Sequence, residues 1–307
     1  MSFTATVKEE VSKLETNKLE NISELSAIVR ITSNITPKGI KITLENNSVA
    51  RRCFKLVKNI YGVIPSISIQ NKKLGKGYTY ILSINNKSKE ILEDLSILDS
   101  NNNYTLPKEY LISDEEQIRA YLRGVFVVSG SVNDPKTSRY HLEFILSTKE
   151  YAIFVSSLLN TYNLNSKIIK REKKYTVYIK EAEKISDFLR IIKAFSAVMY
   201  FEDIRIYRDH KNMTNRLNNC EQANTDKIFM TASKQIKDIE RLYELDIVDL
   251  LDEKIKEAIE YRMKYKESSL KELADIISLE TGTPITKSGL NHRFRKIREI
   301  LEKIEKN

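Results

Sequence analysis

The chain has 307 residues, 41% of them hydrophobic, with 51 Lys and Arg against 42 Asp and Glu for a formal net charge of +9. That length suits about two domains of ~100–200 residues each, and the composition is too apolar for wholesale disorder. No apolar run approaches the ~18 residues of a membrane span, and two distant cysteines (Cys53, Cys220) with three scattered histidines (His141, His210, His292) exclude a zinc-finger pattern or a disulfide framework.

The opening MSFTATVKEEVSKLE is polar and acidic and has no apolar signal segment, so residues 1–19 are expected to hold a short helix capped by Ser2 or Thr4. A cytoplasmic protein is the corresponding expectation. Comparison of the chain with itself then shows a tandem repeat. Tyr78 opens the alternating run YTYILSIN, and 97 residues later Tyr175 opens YTVYIK. Each run follows a β-like segment ending in basic residues, SISIQNKKLGK or SKIIKREKK, and precedes an amphipathic helix, SKEILEDLSIL or EAEKISDFLRIIKA. Upstream, GIKITLEN and YHLEFILST lead into SVARRCFKLVKNIY and KEYAIFVSSLLNTYN. Further upstream, ISELSAIVRITSN and IRAYLRGVFVVSGS lie at the same offset, with Leu25 matching Leu122.

Period-2 alternation marks strands, and apolar spacings of three and four mark helices. Each copy therefore reads helix, two strands, helix, two strands, helix. The expected architecture is α+β: a pseudo-two-fold domain over residues 20–207, with copies at about 20–100 and 117–205, then an all-α domain. Such a sheet packs helices on one face and leaves the other open. Positive charge is clustered here: residues 46–89 hold nine Lys or Arg and no acid, and residues 167–180 hold six with Glu172 alone. Lys72, Lys73 and Lys76 in one copy, and Lys170, Arg171, Lys173 and Lys174 in the other, are candidates for a surface along the DNA backbone.

The αββαββα repeat begun by a small-residue helix resembles the LAGLIDADG homing-endonuclease fold. In that family the acid ending each motif helix meets DNA and divalent metal. Here those positions fall on Thr32 and Ser129. A hydroxyl does not replace a carboxylate as a hard-cation ligand, so the resemblance implies a degenerate domain with no catalytic residue, metal or cofactor. Glu143 and Asp134 are the nearest acids for a displaced site. The resemblance narrows at Arg119-Ala-Tyr-Leu-Arg-Gly, Gly130-Ser-Val-Asn-Asp-Pro135, Tyr140-His-Leu-Glu143, Glu181 to Phe188, Phe201-Glu-Asp-Ile-Arg-Ile206, Asn219 to Asn224 and Lys287 to Arg295. Together these look like the WhiA family, which couples a degenerate homing-endonuclease domain to a helix-turn-helix. Thr32-Ser33 departs from the Asn-Gly more usual there.

After Tyr207 the pattern changes. RDHKNMTNRLNNCEQANTDK lacks periodicity, so residues 208–226 are expected to form a linker or exposed segment. Two amphipathic helices follow, at roughly 227–242 and 247–263, opening a helical domain over 227–307. Ile228, Ala232, Ile236 and Ile239 repeat at helical spacing. Ser269-Leu-Lys-Glu272 fits a capping box. Thr281-Gly-Thr-Pro284 breaks the chain, and a second helix starts near Thr286, with Leu290, Phe294, Ile297, Leu301 and Ile304 as its apolar stripe. A helix, a glycine turn and a helix with basic residues in its first turns make a helix-turn-helix over about 268–301. Its candidate DNA-binding residues are Ser269, Lys271, Lys287, Ser288, Asn291, His292, Arg293, Arg295, Lys296 and Arg298, with His292 ranked below Asn291 and Arg295.

The expected partner is double-stranded DNA, with other proteins a second class of partner for the repeat domain, and no membrane or small-molecule substrate. The resemblance implies a nucleoid-associated, non-enzymatic transcriptional regulator in bacterial cell division, chromosome segregation or sporulation. The alternatives are a metal-dependent endonuclease, or a protein-interaction platform whose helix-turn-helix alone meets DNA.

Overall fold

The structure is a computed structural model that describes residues 2–71, 77–99 and 104–304. Contacts divide the chain into a unit of residues Met1–Arg208 and a unit of residues Asp209–Asn307.

The first unit opens with α1 (Phe3–Val11), capped by Ser2, whose hydroxyl accepts from the Ala5 amide. The first copy then runs α2 (Lys18–Thr32), β1 (Ser33–Thr36), β2 (Gly39–Leu44), α3 (Asn47–Tyr61), β3 (Ser66–Asn71), β4 (Tyr78–Ile84) and α4 (Ser88–Asp94). The second repeats it as α5 (Glu115–Ser129), β5 (Gly130–Val132), β6 (Leu142–Leu146), α6 (Lys149–Thr161), β7 (Lys167–Arg171), β8 (Lys174–Ile179) and α7 (Ala182–Ile191). Each copy makes one antiparallel four-stranded sheet, ordered β1-β2-β4-β3 and β5-β6-β8-β7. Along β2, Ile40, Ile42 and Leu44 are buried while Lys41 and Thr43 are exposed, which is the alternation of a sheet packed on one face. α1 guards the edge strand β5: the Thr4 hydroxyl donates to the Val132 carbonyl (2.7 Å) and accepts from the Val132 amide (2.9 Å).

The register corrects the repeat alignment inside the second hairpin of each copy. Tyr80 lies opposite Leu44, the last residue of β2, and Tyr175 lies opposite Leu146, the last residue of β6. Tyr80, two residues beyond Tyr78, is therefore the counterpart of Tyr175. The cause is the hairpin length, since Glu172-Lys173 alone joins β7 to β8. An even shift preserves which face each residue occupies, so the hydrophobic pattern concealed it.

The two motif helices pack side by side. A Cβ on Gly124 would stand 2.5 Å from the Glu24 carbonyl oxygen and 2.8 Å from Ala27 Cβ, so only glycine permits this approach. Ala27 and Gly124 are equivalent residues of the two copies and meet across the pseudo-dyad. Beside them lies a buried ion network that the sequence analysis missed. Glu24, fully buried, accepts from Arg52 Nε (3.0 Å) and Nη2 (2.9 Å) on α3 and from Arg123 Nε (3.0 Å) on α5. Arg123 is itself fully buried, and its Nη2 stands 3.9 Å from Glu20.

A single helix, α8 (Phe195–Glu244), replaces the expected linker over 208–226. Those residues are almost all exposed, so no buried face imposed a period on the sequence. The segment holds no Gly or Pro, and a helix begun at one end propagates through it. Ile228 is 38% exposed and does not join a buried stripe. The helix expected from 247 begins later: Val248–Leu250 is a 3-10 turn, and α9 covers Glu253–Lys264 after an extended Leu251. α10 (Leu270–Thr281) and α11 (Lys287–Ile304) follow. Ile239, Leu242, Ile255, Ile259, Leu273, Ile277, Leu290, Phe294, Ile297 and Leu301 form the core of this second unit. Ile304, expected in that stripe, is 40% exposed because it ends the helix. Cys53 is buried and Cys220 exposed, both free.

Candidate nucleic-acid interface

α10 starts where the capping box places it. The Ser269 hydroxyl accepts from the Glu272 amide (3.2 Å), and Glu272 accepts from the Ser269 amide (2.8 Å). The helix ends at Gly282, whose φ of 68° is the left-handed conformation that glycine tolerates best. Ser278 ties the turn down: its hydroxyl accepts from the Ile285 amide (2.9 Å) and donates to the Ala274 carbonyl (2.8 Å). The Thr286 hydroxyl then accepts from the Gly289 amide (3.1 Å) and starts α11.

At 100° per residue, burying Leu290, Phe294, Ile297 and Leu301 turns Ser288, Asn291, His292 and Arg295 outward together. All four are exposed, with Lys287 at the start of this face and Lys296 at its edge. Arg295 rests against its own helix, with Nη2 3.0 Å from His292 Nδ1 and Nε 3.5 Å from Glu299. Two candidates do not join this face. Arg293 is turned toward α9, where Nη1 donates to Glu257 (2.5 Å) and to the Lys254 carbonyl (3.0 Å). Arg298 pairs with Asp238 of α8 at 3.5 Å. Both hold the three-helix packing together.

The start of this face borders a cleft of about 310 Å³ lined by Lys227, Lys271, Lys287, Ser269 and Arg262. Sequence reasoning named Lys271, Lys287 and Ser269 but not the other two. Arg262 is 1% exposed, donates from Nη1 to the Ser268 carbonyl (2.6 Å), and lies over the Phe294 ring at 5.6 Å. Burial lowers its pKa, yet the guanidinium stays charged. Lys227 comes from α8, 44 residues before Lys271 in sequence, so only folding brings them to one cleft. The amino ends of α10 and α11 add positive helix-dipole ends to these cations, an arrangement suited to a phosphate.

In the repeat domain, the motif positions are occupied twice over by the same device. Thr32 Oγ1 donates to the Ile28 carbonyl (2.6 Å) and Ser129 Oγ to the Val125 carbonyl (2.8 Å), each one turn back in its own helix. Both hydroxyl protons are spent within the helix ends where a nuclease needs carboxylates. The neighbouring acids are engaged as well. Asp134 accepts from the Lys136 amide (2.9 Å) and from the Tyr200 hydroxyl (3.2 Å), and Glu143 stands 3.2 Å from His141 Nε2. Among the described residues, no group of three or more His, Cys, Asp or Glu gathers as a metal site.

The basic hairpin does not present one surface. Arg171 pairs with Lys174 and Lys170 with Tyr175, so Arg171 and Lys174 share the open face with Lys167, Thr176 and Tyr178. Lys170 points to the helix side with Ile168 and Val177, and Lys173 sits in the turn. Lys180 joins the open face, its Nζ 5.0 Å from the Tyr178 ring centroid. Lys72, Lys73 and Lys76 lie outside the described residues.

A pseudo-two-fold LAGLIDADG-like domain whose motif acids are hydroxyls, followed by a helix-turn-helix, defines the class of protein. Residues 18–98 match the WhiA N-terminal LAGLIDADG-like domain, residues 118–211 the WhiA LAGLIDADG-like domain, and residues 214–301 the WhiA C-terminal HTH domain. The chain is 42% identical over 309 residues to the probable cell division protein WhiA of Macrococcus caseolyticus, covering 99% of this chain and 97% of that one. It is 41% identical over 311 residues to the protein of the same name from Pediococcus pentosaceus, covering 99% of each. Full-length WhiA from Thermatoga maritima shares the fold, with a TM-score of 0.60 at 23% identity over 99% of each chain. The chain belongs to the WhiA family. Among the described residues, no helix is long and apolar enough to cross a membrane.

Proposed function

We propose that this chain is a non-enzymatic DNA-binding regulator that reads double-stranded DNA through α11 and acts on transcription. The observation that carries the reading is the exposed face of Ser288, Asn291, His292 and Arg295, which starts beside a cleft with three lysines. Asn pairs with adenine and Arg with guanine in the major groove, while lysines at a helix start suit phosphates. The relatives' name, probable cell division protein, supports a role in cell division; chromosome segregation and sporulation belong to the same reading. A cytoplasmic, nucleoid-bound location follows from a DNA target. The two motif hydroxyls support an absence of nuclease activity.

The test is fluorescence anisotropy on a selected site and on random duplex. Asn291→Ala and Arg295→Ala, checked for folding by circular dichroism, are expected to lose about 1–3 kcal/mol of discrimination for each base contact. Undiminished preference in both folded variants would move base reading off α11. Supercoiled plasmid incubated with magnesium or manganese is expected to stay intact. Nicking that vanishes in Glu143→Gln or Asp134→Asn would restore the endonuclease reading.

A further inference from the structure

On the helix side of the first sheet, away from its open face, a cavity of about 590 Å³ lies between the segment joining α1 to α2 and one face of α3. Ser48, Arg51, Arg52, Lys55 and Asn59 of α3 line it at spacings of three and four, so a single helix face forms its floor. Lys13 rises from the opposite wall, and Glu15 is the one acid in the lining. Arg52 is 9% exposed and locked in place, with Nη1 donating to the Leu14 carbonyl (2.6 Å) and Nη2 to Thr16 Oγ1 (2.8 Å), besides its pair with Glu24. Of its five N–H groups one on Nη1 is left unassigned. Arg51 and Lys55 are exposed and have no carboxylate partner among the described residues. Like charges four apart on a helix repel and destabilise it, so an anion between them would be held by both.

From this arrangement we infer a binding site for a small phosphorylated ligand of nucleotide size. The volume lies within the roughly 300–1,000 Å³ of small-molecule sites. The Arg51 fork matches phosphate oxygens in pairs and Lys55 adds a point charge at the rim, beside Lys13, which is paired with Glu9 at 2.8 Å. The site is built to order as well as to attract. Glu24, which holds Arg52 at the floor, also holds Arg123 of α5 at 3.0 Å. A phosphate on Arg52 is thus one ion pair from the contact between the motif helices.

The test uses the full chain, with isothermal titration of ATP and of inorganic pyrophosphate in magnesium-free buffer at physiological salt. Saturable binding of ATP is expected, at least tenfold weaker in the Arg51→Gln/Lys55→Gln double variant. That variant removes a repulsion, so its melting temperature should equal or exceed the parent's, and its affinity for duplex DNA should equal the parent's. Pyrophosphate binding as tightly as ATP assigns recognition to the phosphates alone; weaker binding adds a contribution from the nucleoside. No saturable binding of either probe, or equal binding by the double variant, overturns the site. A loss of duplex affinity in the variant, with neither small probe bound, also overturns it and makes this surface a contact for nucleic acid. None of these outcomes bears on α11, so failure here leaves the DNA-reading proposal standing.

Discussion

Arg293 and Arg295 stand two residues apart on α11 and do different work. The first spends its guanidinium on Glu257 and the Lys254 carbonyl, while the second remains exposed along the outward face. Arg293→Ala should therefore cost about 1–3 kcal/mol of stability in the second unit, because a charged hydrogen bond disappears, and leave base preference unchanged in the folded fraction. Urea denaturation followed by anisotropy at saturating fold separates the two effects. Lys8 is a residue-scale case in the other unit. Burial pushes its amine down to about 8, with Glu45 opposing, and its Nζ lies 5.8 Å from the Phe126 ring centroid. Between that value and the 10.5 of a free lysine, the unfolded chain holds a proton that the folded chain has released. Stability from this group therefore rises as pH climbs from about 8 to 10.5, and its cost is fully present below 8. Lys8→Met is expected to gain roughly 2–3 kcal/mol at pH 7. The advantage should shrink at pH 10 in guanidinium titrations, and an equal gain at both values would place the effect in packing.

Among elements, the pair α2 and α5 is tightly constrained by side-chain size. Gly124→Val would drive branched carbons into the Glu24 carbonyl and Ala27, separating the helices and straining the Glu24 network. The expected loss is about 3 kcal/mol or more, above the usual ~1–3 kcal/mol of overpacking, because backbone as well as side chain must move. Ala27→Gly faces the same contact from the other side and opens space instead; its cost should stay near the ~1 kcal/mol of a glycine in a helix. A Gly124→Val variant melting with the parent would show that the helices pass farther apart than the geometry states. The long helix α8 teaches the converse lesson. Its exposed middle has no face to bury, so apolar spacing carried no signal there, while the absence of Gly and Pro did.

For the molecule as a whole, affinity for DNA should divide between base reading by α11 and backbone contact by charge elsewhere. We expect Lys167, Arg171 and Lys174, which share the open face of the second sheet, to act together. Changing all three to Ala should flatten the plot of log affinity against log salt by about 0.9 for every phosphate no longer neutralised. Lys170→Ala, on the helix side, should leave the slope unaltered. An unchanged slope in the triple variant would assign this sheet to a protein partner.

The repeat, the α+β class, the capping box at Ser269 and the outward face of α11 were all legible without coordinates. Each rests on local periodicity or on hydrogen bonds within one turn of chain, and such signals survive in a single sequence. The missing motif acids were legible for the same reason, since they are identities at counted positions. Which charges meet was not. Arg52 and Arg123 reach Glu24 across 28 and 99 residues, and Lys227 enters the cleft with Lys271 from another helix. Composition shows these cations as equivalents of any other lysine or arginine; burial distinguishes Arg52 and Arg123, and shared position in one cleft distinguishes Lys227 and Lys271. The two-residue slip between Tyr78 and Tyr80 was hidden because an even shift leaves the alternation intact. Sequence by itself thus determined the elements of both copies, their order and the residue at each motif position, but not the helix over 208–226. Tertiary structure decided which arginines are spent inside the fold, which hydroxyls are already bonded, and where unpaired charge gathers, because those depend on distances that no local pattern encodes.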